Sequence, residues 1–226
     1  MNKKKVMIAA IVLALVLSIG GVLAYFSDSD TATNTFTVGN VGIEVSEPTW
    51  DSTGSTDAAT VLPNQLIDKD PYIKNTGDNA AYVFMKVSIP TATVVVENDN
   101  GGPASPTSSS QALFELYNST PAAGVNSGWQ LVSGPTTVGS NVEYVYSYSS
   151  GGTMTSLASG ATTSTPLFSK IKFANVQENW GVEGTSYNVE VTGYAIQTAN
   201  LTTNNYTTNT DVLCVLNANA IHPATP

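Results

Sequence analysis

Chemistry on a substrate bond needs a base, a nucleophile or a metal, and the side chains that supply them are nearly missing from these 226 residues. His222 is the only histidine, four residues from the C-terminus, so neither a His-Glu-x-x-His pair nor a three-histidine zinc site can be built. A Ser-His-Asp triad fails for the same reason, since its imidazole would hang on a chain end. Cys214 is the only cysteine, which rules out an intrachain disulfide. Its neighbours Val212, Leu213, Val215 and Leu216 predict a small buried residue, with an intermolecular bridge as the alternative.

Carboxylates could still act in pairs, as in glycoside hydrolysis. Glu44, Glu47, Glu178, Glu183 and Glu190 are the candidates, and alternation puts several of them on a solvated face. Asp28-Ser29-Asp30, Asp68-Lys69-Asp70 and Asn98-Asp99-Asn100 offer hard oxygen ligands for calcium, yet none follows the spaced EF-hand loop. Trp50, Trp129 and Trp180 could stack on sugar rings or anchor a core. From these residues we expect no catalytic site, no metal site and no cofactor.

The elements that would position any site begin with an export signal. Lys3, Lys4 and Lys5 precede an apolar run from Val6 to Leu17, then Gly20-Gly21 and a small residue, Ala24. Residues 1–24 therefore read as a signal peptide cleaved between Ala24 and Tyr25, with a retained membrane anchor as the rival reading. The expected mature part has five Lys against 17 acidic residues, a net charge of −12, and no Arg. Such a surface cannot neutralise phosphates, so nucleic acid and, after cleavage, membrane surfaces are poor partners.

Charged residues make up only 11% of the chain, and Ser, Thr, Asn and Gly abound, a composition of strands and turns. Period-two alternation predicts strands at Thr35–Val38, Val41–Val45, Tyr82–Ile89, Val94–Val96, Trp129–Val132, Val142–Tyr148, Leu167–Phe173 and Tyr187–Gln197. Along Tyr82–Ile89, Val83, Met85, Val87 and Ile89 fall on one face, and one face must be core. Lys69–Lys74 reads as the hairpin partner of that strand, at an edge or bulge because of Pro71. Gln111–Asn118 has helical spacing at Leu113, Phe114 and Tyr117. Residues 97–110 and 151–165 read as flexible loops. The expected architecture is all-β, with residues 25–226 forming one antiparallel β-sandwich of jelly-roll type.

Two blocks carry a family resemblance. Ala24-Tyr25-Phe26-Ser27-Asp28 followed by Asn34-Thr35-Phe36-Thr37-Val38-Gly39-Asn40-Val41, and Lys69-Asp70-Pro71-Tyr72-Ile73-Lys74-Asn75-Thr76-Gly77, resemble the TasA and camelysin (CalY) family. The likeness continues through Ala81–Val87, Val145–Tyr148, Pro166–Phe168 and Gly193–Gln197. It departs at Pro63-Asn64, where relatives often carry Pro-Gly, and in the Asn- and Thr-rich tail. The resemblance implies export through a dedicated SipW-type signal peptidase to the extracellular matrix or cell surface. There the chain would polymerise with itself into biofilm-matrix fibres, helped by a minor assembly or anchoring protein. Residues 25–38 would be the donated strand, anchored by Tyr25, Phe26, Phe36 and Val38, although Phe36 and Val38 could equally belong to the subunit's own first strand. A monomeric module binding glycan or calcium is the alternative. A camelysin-like metallopeptidase is a third reading, which the residue types do not support.

Overall fold

The structure, a computed structural model, describes residues 40–98, 108–199, 201 and 205–216. Those residues lie in one compact unit, Gly39–Pro226. Among the described residues eleven strands run in chain order: β1 Ile43–Ser46, β2 Leu66–Asp68, β3 Tyr72–Asn75, β4 Ala81–Val94, β5 Ser109–Ala112, β6 Phe114–Tyr117, β7 Trp129–Val138, β8 Asn141–Ser150, β9 Thr153–Met154, β10 Lys170–Phe173 and β11 Glu190–Gln197. A π-helical turn, Trp50–Gly54, and a short α-helical turn, Ser55–Asp57, link β1 to β2. One further helix, Asn209–Leu216, follows β11.

The strands pair antiparallel throughout, in the paths β11-β4-β8-β7, β2-β10-β6 and β1-β3, with β5 added to β4 and β9 to β8. The fold is all-β as expected; a jelly-roll path goes further than these pairings show. Residues of both larger sheets share one core, Ile67, Phe114 and Ile171 from one and Val83, Met85 and Val87 from the other. Each such side chain contributes roughly 1.5–3 kcal/mol when withdrawn from water.

The alternation along β4 does mark a core face, but the opposite face is covered too. Tyr82 and Phe84 join Val145, Met154 and Leu201 beneath Val212, Leu213 and Leu216 of the last helix. Pro90 closes the β4–β8 ladder, and Thr91–Val94 then pair with β5. Having no N–H, Pro90 suits the point where one partner ends and another begins. Gly193 on β11 lets β1 pack close, because a Cβ there would fall 2.8 Å from Val45 and 2.9 Å from Ile43 side-chain atoms.

Four expectations change. The strand at Tyr72–Asn75 pairs with β1, Ile43 opposite Asn75, and not with β4. The buried Asn75 amide donates to the Asn79 and Leu157 carbonyls, both at 2.9 Å, and turns the chain away before β4 begins. Residues 151–165 are tied down: Ala81 and Leu157 exchange both backbone hydrogen bonds, and Thr163 N donates to Ile73 O at 2.9 Å. Gln111–Asn118 is no helix. It carries the end of β5 and all of β6, because pairing with β4 and β10 satisfies more backbone than an eight-residue helix could. Cys214 is exposed, since helical spacing turns Val212, Leu213 and Leu216 inward and leaves it facing out.

Candidate functional site

A cleft of about 890 Å³ opens among the described residues. Its floor comes from the inward side chains of the three-stranded sheet, Ile67 on β2, Phe114 on β6, and Ile171 and Phe173 on β10. The Phe114 and Phe173 rings sit 5.3 Å apart at 53°, a tilted arrangement that aromatic pairs favour. One lip is the stretch from Ala58 to Pro63, where Leu62 is 64% exposed; the other runs from Glu178 to Glu190 and leads into β11. The mouth thus lies between β2 and β11, which end the paths of their sheets.

Lys69, Glu178, Glu183 and Glu190 are the charged residues that line the cleft, and further charges pair nearby in the sequence. Lys69 Nζ donates to Glu47 Oε2 at 2.7 Å and lies 4.8 Å above the Trp50 ring. Asp70 Oδ1 accepts from Thr49 N at 2.8 Å. Asp68 pairs with Lys170 and accepts from Thr53 Oγ1. The Glu183 carboxylate accepts from the Asn179 and Gly181 amides at 2.7 and 3.0 Å. Its own backbone N–H and that of Asn179 hold its pKa below the usual carboxylate value, so it works as a loop clasp and not as an acid. Glu44 is exposed on β1 opposite Lys74, and Glu190 is exposed opposite Ser88. Of the five glutamates, Glu178, Glu183 and Glu190 line the cleft, and Glu44 and Glu47 do not.

The predicted ligand sets do not converge. Asp28, Asp30, Asp99 and Asn100 lie outside the described residues, as does His222. Among the described residues no group of three His, Cys, Asp or Glu side chains is placed to hold a metal. The tryptophans separate: Trp50 lines the cleft, Trp129 is buried with its Nε1 donating to Thr165 O at 3.1 Å, and Trp180 is 39% exposed. The cleavage residues Ala24 and Tyr25 and the strand anchors Phe26, Phe36 and Val38 lie outside the described residues. The cleft itself escaped sequence reasoning. Ile67, Phe114 and Phe173 look like ordinary core positions, and nothing local says that water reaches the space between them.

The chain enters the described domain at Asn40, whose N–H donates to Asp78 Oδ2 at 3.1 Å. β1 then runs about 13 Å, at 3.3 Å per residue, from the Asn75 end of β3 to the Tyr72 end, and Trp50 at the cleft follows. Entry point and cleft therefore stand at opposite ends of β1.

Residues 1–105 match the family described as camelysin metallo-endopeptidase. No curated protein and no solved structure is matched. The metal that this family description implies does not fit the described side chains, for want of three convergent donors.

Proposed function

We propose, from the match of residues 1–105 to the camelysin family and the resemblance of the sequence to TasA and camelysin proteins, that this is a secreted structural subunit which assembles with itself by donating its N-terminal strand. Export and trimming by a SipW-type signal peptidase would free Tyr25 as the new terminus, outside the cell, in the matrix or at the surface. Residues 25–38 of one copy then lie in the cleft of the next, with no enzymatic turnover. A minor assembly or anchoring protein completes the expected set of partners.

The observation that carries this reading is the cleft's position between two sheet edges, at the far end of β1 from the entry of the chain. An extended peptide there gains ladder hydrogen bonds along an edge and pockets for alternate side chains. Phe36 and Val38, two apart, would face Ile67, Phe114, Ile171 and Phe173, leaving Thr35 and Thr37 outward. Donation from one end into a cleft at the other is a heterologous contact that does not close, and such contacts propagate as filaments.

Negative-stain microscopy of the trimmed protein tests this. Wild type should form filaments, whereas Phe26→Asp on the donor and Leu62→Asp on the exposed cleft lip should each give folded monomers. Mixing the two variants should yield heterodimers without filaments, because only one donor and one cleft remain intact. Filaments from either variant alone would remove the strand-donation reading.

A further inference from the structure

A second cleft, of about 490 Å³, shares Phe114 and Phe173 with the first but is otherwise lined by different residues. Tyr144 and Tyr146 of β8 share a face at strand spacing and line it as two near-parallel rings, 6.4 Å apart at 27°. Around them stand the carboxamides of Gln111 and Asn175 and the carboxylates of Glu97 and Glu115.

Tyr146 is only 8% exposed, and no protein hydrogen bond satisfies its hydroxyl among the described residues. Yet no fully buried side-chain oxygen or nitrogen there lacks a partner. The phenol oxygen therefore keeps a small accessible surface, and Tyr146 is one of the residues that line the cleft. A phenol held in an apolar wall with one accessible, unpartnered oxygen is a binding group awaiting its complement. Gln111 and Asn175 spend amide N–H groups on Ser109 Oγ and on the Glu97 and Asn98 carbonyls, which leaves their side-chain oxygens as acceptors.

The geometry points to a binding site for a neutral oligosaccharide, a function separate from strand donation. Sugar rings present C–H faces for the tyrosines and hydroxyls for the ring of amide and carboxylate acceptors. Anionic glycans are disfavoured by Glu97 and Glu115 beside a single lysine, Lys172, on a chain of net charge −9. A peptide strand finds no open ladder here: β8 lies between β4 and β7, and the far side of β6 is taken by Ala123 and Gly124.

Calorimetric titration of the full chain with three neutral hexasaccharides, a β-1,4-glucan, an α-1,4-glucan and a β-1,4-galactan, tests the site. At least one should bind saturably. Tyr146→Phe, which removes one oxygen from an otherwise unchanged ring, should weaken it about five- to tenfold. Gln111→Ala, at a partly exposed position, should weaken it as well. Absence of binding by all three sugars, equal affinity in both variants, or binding of an extended Ser/Thr-rich peptide instead would each overturn the assignment.

Discussion

Lys69 and Glu47 form the most enclosed ion pair of the described domain, 2.7 Å apart with side chains 8% and 17% exposed. The pair ties the strand end at β1 to the residue after β2 and holds the lysine over Trp50. It shapes the rim of the larger cleft from the same Lys-Asp-Pro block that marks the family resemblance.

Breaking one side of that pair leaves a poorly hydrated charge behind. Glu47→Gln or Lys69→Met alone should destabilise the domain by about 2–3 kcal/mol, a little under the cost at a fully buried pair. Replacing both, Lys69→Met with Glu47→Leu, should cost less than either single change. Urea denaturation of the three variants checks the order.

Tyr146 gives the domain an alkaline limit. Burial, and then the neighbouring Tyr144, push its pKa from 10.0 up to about 12. The folded state thus holds the phenolic proton more tightly than the unfolded state. The stabilisation is complete below pH 10 and is lost as pH rises toward 12, by about 2 kcal/mol for a group that is not wholly enclosed. Tyr72, also raised by burial and by Asp70, adds to the same slope. Denaturation midpoints from pH 9 to pH 12 should fall for wild type and fall less steeply for Tyr146→Phe.

Cys214 faces solvent from a helix whose other side covers Tyr82 and Phe84. A maleimide should label it under native conditions without shifting the thermal midpoint by more than a degree or two. Val212→Ala, at a residue with no exposure, should instead cost about 2 kcal/mol through the void it leaves, read by the same melt.

Much of the strand content was legible because alternation is a local pattern. β4, β8 and β11 follow from the spacing of Val83, Met85 and Val87, of the residues in Val142–Tyr148, and of Val191 and Ala195. Gln111–Asn118 failed the same test because eight residues with Leu113, Phe114, Leu116 and Tyr117 fit either period. Only the long-range register, Phe114 opposite Phe173 and Ala112 opposite Thr91, makes them strands. The burial of Cys214 was misjudged in the same way, since apolar neighbours say nothing about which side of a helix faces the sheet.

The scarcity of histidine, the single thiol, the acidic balance and the alternating strands are properties of the chain read in order, and the sequence by itself determined the all-β class and the poverty of catalytic groups. Which strand pairs with which was decided by tertiary structure, as when Asn75 turns β3 toward β1 and Gly193 admits Ile43 and Val45. So were the two clefts, because an opening is a space between side chains from Trp50 to Glu190 in one case and from Asn64 to Asn175 in the other. The physical reason is that burial and free edges depend on partners far apart in sequence, and no local period encodes where those partners stop short of meeting.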